Sequence, residues 1–193
     1  MIKTPLIIYW SRRDFRLKDN PALERAIEQS KKESINFLPM FILERYMSGL
    51  YPKHQFGYAA RQLLKRSVPS FAKNFKSFFI AKGTVLKIFK VLQKSYDITI
   101  HVNDDVYPDF YSQVEKIKKE GIRIVVHDDA VTVLKETRTG QGNVYSIFTP
   151  FKNAVWEEFT KRRTLKHCDV ECVTYENPEH IEKYIPKANL EKD

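Results

Sequence analysis

Apolar and polar positions follow two alternating rhythms along this chain. Five short stretches are dense in β-branched, leucine and aromatic side chains: 6–10 (LIIYW), 35–43 (INFLPMFIL), 77–81 (SFFIA), 98–102 (ITIHV) and 122–126 (IRIVV). Runs of this length and composition predict strands, and the first, apolar on both faces, predicts a strand covered on both sides. Between them lie stretches with apolar residues at helical spacing. In 21–32 these are Ala22, Leu23, Ala26 and Ile27, and in 57–74 they are Ala60, Leu63, Leu64, Ser67 and Phe71. In 84–96 they are Val85, Phe89, Leu92 and Tyr96, and a fourth helix is expected over 109–120.

Local signals set the boundaries. Asn20 followed by Pro21 predicts an N-cap and first helical residue. Gly121 predicts a left-handed helix end, and Thr84 a helix start. Pro39 within the second strand removes one ladder hydrogen bond, so one side should be unpaired there or a bulge should intervene. Pro69 should kink or interrupt its helix. The order is strand–helix four times and then a strand, which predicts an α/β parallel sheet with helices on both faces. The alternation alone leaves the strand order open.

The remaining segments are less regular. Gly49, Pro52 and 53–55 mark 44–56 as a connecting loop, with His54 read as a surface residue. A short extended piece is expected over 131–134, a turn-rich loop over 137–143 and a last helix over 151–163. The domain is expected over 1–160. The polar segment 161–193, with Pro178 and Pro186, is expected as a linker or tail.

Composition narrows the function class. A chain of 193 residues that is 42% hydrophobic can bury one core. Its formal charge of +9 suits contact with polyanions such as DNA, although a lysine-rich surface also serves solubility. Cys168 and Cys172 stand alone, without the partners of a zinc site, and are expected as reduced thiols. The sequence lacks an apolar run of membrane-spanning length, and the default is a cytoplasmic protein.

The loop after the first strand holds the most concentrated chemistry. Arg12, Arg13 and Arg16 surround Asp14 where ligands bind in open α/β sheets, outside the carboxyl ends of the strands. Guanidiniums require carboxylate or phosphate partners. One reading is an anion site or docking surface; the other is a loop whose arginines pair with nearby acids. No G-x-G-x-x-G fingerprint follows the strand.

Two stretches resemble the DNA photolyase/cryptochrome family: WSRRDFRLKDNPAL at 10–23, and TGQGNVYSIFTPF at 139–151 followed by Trp156. The resemblance covers roughly the first 160 residues. It implies a Rossmann-like three-layer sandwich with strand order 3-2-1-4-5. It implies an N-terminal domain holding a light-harvesting antenna pigment, and a C-terminal FAD domain, absent here, that carries the repair chemistry on DNA. No catalytic residue and no metal site is therefore expected in this chain. Folate-type members place a His and a Glu where this chain has Phe56 and Phe110, which disfavours folate. Deazaflavin-type members suggest Arg13, Phe41, Leu43, Arg61 and Asp105 as pigment-binding residues, with Tyr107 and Gln113-Val114 departing from their pattern.

Each candidate has a plain alternative: Asp105 as a helix cap, Arg61 paired with Glu44, Phe41 and Leu43 as core. Trp10 and Trp156 are read as packing anchors. A cryptochrome-like interaction domain and a HUP-type nucleotide-binding module are the competing functions. The basic run Lys161, Arg162, Arg163 and Lys166 is read as a solvated charge run.

Overall fold

The computed structural model describes residues 3–44, 47, 57–105, 108–129, 137–160 and 166–190. The expectations for His54, Phe56, Tyr107, the 131–134 piece and 161–163 lie outside these residues. Five strands form one sheet: β1 (Thr4–Ser11), β2 (Asn36–Leu43), β3 (Phe79–Lys82), β4 (Tyr96–Asn103) and β5 (Arg123–His127). Their order is β3-β2-β1-β4-β5 and every pairing is parallel. The crossover helices are α1 (Pro21–Glu33), α2 (Tyr58–Ala72), α3 (Val85–Ser95) and α4 (Pro108–Lys119), with α5 (Phe148–Thr160) and α6 (Pro178–Glu182) following. This is the Rossmann-like architecture expected from the sequence.

Side-chain alternation along β1 divides the core between the two sheet faces. Ile7 and Tyr9 join Leu23, Ala26 and Phe71 on the side of α1 and α2. Leu6, Ile8 and Trp10 join Phe89, Leu92, Val114 and Ile117 on the side of α3 and α4. Trp10 is 2% exposed and meets Phe89 edge to face at 5.4 Å, so it is the anchor the pattern predicts. Asn20 caps α1 by accepting from the Leu23 N–H at 3.1 Å. Gly121 adopts the expected left-handed conformation, φ 73°. The β2–β3 ladder begins only at Met40–Phe79, so Pro39 falls where that side of β2 is unpaired.

Several expectations are corrected. The second helix runs through Pro69 and ends at Ala72, because the lost bond lies in its final turn. Its packing is confined to its second half: Val68 and Phe71 are buried, whereas Leu63 is 67% exposed. Tyr96 opens β4, opposite Thr4, instead of closing α3. Thr84 sits at the start of α3 without a side-chain capping bond. The last helix starts at Phe148, not at 151, and Trp156 is half-exposed with Lys152 Nζ 5.3 Å over its ring.

Residues 166–190 wrap the domain. The Phe37 N–H donates to the Thr174 carbonyl and the Glu176 N–H to the Phe37 carbonyl, tying the segment to β2. Further on, Lys187 pairs antiparallel with Ala81 of the edge strand β3. Glu176, buried, accepts from Asn36 Nδ2 at 2.8 Å and the Tyr96 hydroxyl at 3.3 Å, joining the starts of β2 and β4. Burial, then the Glu176 charge, raises the Tyr96 hydroxyl to about 12. The polar composition hid this packing, because few apolar residues carry it: Ile181 and Ile185 enter the α3 core, and Cys168 and Val170 the α1 core. An Ile181→Ala variant should lose about 2–5 kcal/mol in one cooperative urea transition; a loss below about 0.5 kcal/mol would mark the segment as a loose tail.

Candidate functional site

In a parallel sheet the carboxyl ends of all strands share one edge, so the loops after β1, β4 and β5 converge. A buried polar network joins them. The Asp14 carboxylate accepts four hydrogen bonds: from the Tyr9 hydroxyl (2.8 Å), Ser11 Oγ (3.2 Å), the Arg12 N–H (2.9 Å) and Asn103 Nδ2 (2.6 Å). Asn103, at the end of β4, also donates to Asn20 Oδ1 at 2.8 Å and accepts from the Ala22 N–H at 2.9 Å. Asn20 Nδ2 reaches back to the Tyr9 oxygen at 2.9 Å and the Arg16 carbonyl at 3.0 Å. Burial, then the Asp14 charge, pushes the Tyr9 hydroxyl well above its ordinary value, so it stays a proton donor. The β1–α1 loop is thereby fixed to β4 and to the start of α1.

The three arginines project from this fixed loop, and acids meet them. Arg12 is held between the Trp10 and Phe110 rings, 4.9 and 4.8 Å from their centroids. Its Nη1 donates to Gln113 Oε1 at 3.0 Å and its Nη2 to Asp105 at 3.4 Å. Arg13 Nε lies 3.8 Å from the same Asp105 oxygen. Arg16 pairs with Asp129 after β5 and donates to the Asp19 carbonyl at 3.1 Å. Burial alone would lower the Arg16 guanidinium, but the bond to Asp129 and the Asp129 and Asp14 charges leave it raised. Of the two readings of this loop, the structure realises the one in which arginines pair with acids.

These residues enclose a cavity of about 170 Å³ lined by Arg12, Arg13, Asp14, Arg16, Asn103, Asp104, Asp105 and Asp129. Three guanidiniums face four aspartates, so the lining offers no surplus of positive charge. Asp104 supports the rim by accepting from the Asp129 N–H at 2.9 Å.

Comparisons with known proteins agree with this topology. The DNA photolyase family profile matches residues 7–170. The chain belongs to the DNA photolyase family. A deoxyribodipyrimidine photo-lyase of Alkalihalophilus pseudofirmus is 30% identical over 165 residues, spanning 79% of this chain and 33% of its own length. A class III photolyase of Agrobacterium tumefaciens shares the fold over 100% of this chain and 38% of its own, with TM-score 0.73 and 20% identity. An archaeal photolyase of Sulfolobus tokodaii, solved with two FAD molecules, matches over 97% and 40%, with TM-score 0.73 and 20% identity. The chain therefore spans a third to two fifths of the length of these photolyases.

The structure brings together two of the residues suggested by resemblance to photolyases, Arg13 and Asp105, at the cavity. Phe41 and Leu43 are 1% and 4% exposed, packed in a separate cluster with Val68 and Leu190. Arg61 lies in the first turn of α2 and does not line the cavity. Glu44 accepts from Gln113 Nε2 at 3.4 Å. Phe110, in the folate-type acidic position, is fully buried under Arg12. Sequence reasoning missed Asn103 and Arg12 as organisers. The signal available for Arg12 was an aromatic two residues earlier on a strand, which puts both side chains on one face.

Below this edge, His101 of β4 and His127 of β5 stack at 5.2 Å and 13°. His101 Nδ1 is 2.9 Å from His127 Nε2, and its Nε2 is 2.7 Å from Gln29 Oε1 of α1. The amide oxygen only accepts, so His101 Nε2 donates to it and His101 Nδ1 accepts from His127. Burial, then the neighbouring His127, lowers His101 to about 4; burial, then Arg25, lowers His127.

The unfolded chain takes up protons near the ordinary histidine value of about 6.5, and the folded chain resists until His101 titrates near 4. Stability is thus full above about pH 6.5 and falls by on the order of 3 kcal/mol as pH drops toward 4. Urea denaturation across pH 4–8 checks this, and His101→Gln should flatten the profile. Asp14→Ala strips the acceptor from three buried donors and should cost at least about 2 kcal/mol, read as a lower urea midpoint at pH 7.

Proposed function

We propose that this chain is the N-terminal, light-harvesting part of a deoxyribodipyrimidine photolyase, with a deazaflavin-type pigment as the ligand of its strand-edge site. The observation that carries the reading is the cavity at the carboxyl edge, lined by Arg13 and Asp105, in a chain of the photolyase family. A pigment bound there supplies light absorption and passes the excitation on. What the protein residues do is bind and orient. Arg13, 38% exposed in its side chain, is the guanidinium a ligand reaches; Arg12, at 12%, supports Asp105 from behind. The Asp105 carboxylate accepts from ring-edge donors.

The fit is good on the polar side and incomplete on the apolar side. Drug-sized ligands occupy about 300 Å³ or more, and this cavity is smaller. Phe41 and Leu43 form the apolar slot in this reading only if the cluster around them parts, with Arg61 closing its outer end. A HUP-type nucleotide site is disfavoured, because a polyphosphate requires surplus cations and each arginine of the loop already meets an aspartate.

The second domain of the photolyases is the partner in this reading. Val144, Ile147, Phe148 and Trp156 are 50–72% exposed on the segment leading into and along α5. An apolar surface of this kind marks an interaction site, and the portion of the relatives that lies beyond this chain is the occupant we assign to it. That domain holds FAD in this reading and meets DNA.

Titration of the purified chain with a deazaflavin and with a folate tests the proposal. Micromolar deazaflavin binding is expected, weakened about tenfold or more by Arg13→Ala and by Asp105→Asn, as loss of one charged hydrogen bond implies. Absence of binding for both pigments at tens of micromolar would contradict the antenna reading and leave the family assignment intact.

A further inference from the structure

The outer face of α3 and α4 has a charge pattern that the strand-edge site does not use. α3 buries Val85, Ile88, Phe89 and Leu92. Its opposite side carries Lys87, Lys90 and Lys94, all exposed, and the helix holds no acidic residue. The stripe spans about 10.5 Å at 1.5 Å per residue. The neighbouring α4 ends in Lys116, Lys118 and Lys119, likewise exposed. The two helices are joined at their ends: Lys90 pairs with Glu120 at 2.8 Å, and Gln93 Nε2 donates to the Gly121 carbonyl at 3.3 Å. Lys118 is occupied by Glu115 at 3.2 Å. Among the described residues, Lys87, Lys94, Lys116 and Lys119 have no carboxylate partner.

Helix dipoles explain only part of this pattern. Cations favour the last turn of a helix, which accounts for Lys94 and the α4 lysines. Lys87 sits in the first turn of α3, where the dipole opposes it. The surface of α1 shows the ordinary alternative: Arg25 pairs with Glu28 at 2.6 Å, Glu24 pairs with Lys166 at 2.8 Å, and the helix carries acidic and basic residues together.

We infer that the α3–α4 face is a polyanion-contact surface, separate from the strand-edge cavity, whose partner is the phosphate backbone of a nucleic-acid duplex. The inference is independent of the pigment reading. A duplex is favoured over a lipid surface because the exposed side of α3 carries lysines and no exposed large apolar side chain. It is favoured over single strands because, among the described residues, Tyr111 of α4 is the one exposed ring on these two helices, where unpaired bases call for a series of rings. Point cations along a helix read backbone charge, and their contacts release counterions.

Fluorescence anisotropy of a labelled 20-base-pair duplex, titrated with the whole chain between 50 and 200 mM salt, tests the inference. Four phosphate contacts give a slope of log K against log salt of about −3.6. The quadruple variant Lys87→Gln/Lys94→Gln/Lys116→Gln/Lys119→Gln should bind at least tenfold more weakly at 50 mM salt, with the slope reduced to near zero. All four positions are exposed, and the urea midpoint checks that the variant stays folded. A control removes the same charge elsewhere, with Lys3→Gln/Lys32→Gln/Arg66→Gln/Lys73→Gln, and should leave affinity within threefold. Equal losses in both variants, no duplex binding at 50 mM salt, or tighter binding to phosphatidylserine vesicles than to duplex would each overturn the inference.

Discussion

The Asp14 carboxylate is the constraint on which the strand-edge site depends. It is buried, it collects hydrogen bonds from β1, from its own loop and from β4, and it stands between three arginines. A buried charge is tolerated when its hydrogen bonds are complete. The result is a loop without regular structure that is nonetheless fixed at both ends. Asn103 extends the same constraint across the sheet, since it serves Asp14, the N-cap Asn20 and the Ala22 N–H together. The network makes the start of α1, the end of β1 and the end of β4 one rigid unit, and the cavity is the space this unit leaves open toward β5.

Neutrality is the second feature of this edge. Three guanidiniums alone would define an anion site, but Asp105 takes two of them and Asp129 the third. What remains is a set of oriented donors and acceptors in a narrow space, suited to the polar edge of a flat ring more than to a phosphate. Phe41 and Leu43 do not line this space and are packed in a separate cluster with Val68 and Leu190. The exposed apolar surface near α5 lies on a segment that resembles the family's passage toward its second domain. The chain spans 33–40% of the length of these photolyase relatives.

Much of this was legible in the sequence. The five apolar runs, the Asn20–Pro21 start and the Gly121 end have local physical causes, and the local signals agree with the fold. The strand order and the family came from two long motifs. The failures have local explanations as well. Leu63 and Trp156 have the composition of core residues but lie where no sheet reaches them. The 166–190 segment reads as a polar tail because backbone pairing to Phe37 and Ala81 leaves no hydrophobic signature. Pairing of arginines with acids that are 93 and 113 residues away in sequence, as for Arg12 with Asp105 and Arg16 with Asp129, is set by strand order and is invisible to any local pattern. Of the residues the resemblance suggests, Arg13 and Asp105 meet at the cavity, Phe41 and Leu43 pack together in a separate cluster, and Arg61 lies on α2 outside the cavity lining.

The central claim is that a flat pigment belongs at the edge where β1 and β4 end. A crystal of the chain grown with a deazaflavin tests it most directly. The account predicts difference density for the ring beside Arg13 and Asp105, with the Phe41–Leu43 cluster opened to receive it. Density on another face of the molecule, or an unaltered cavity at saturating pigment, would contradict it.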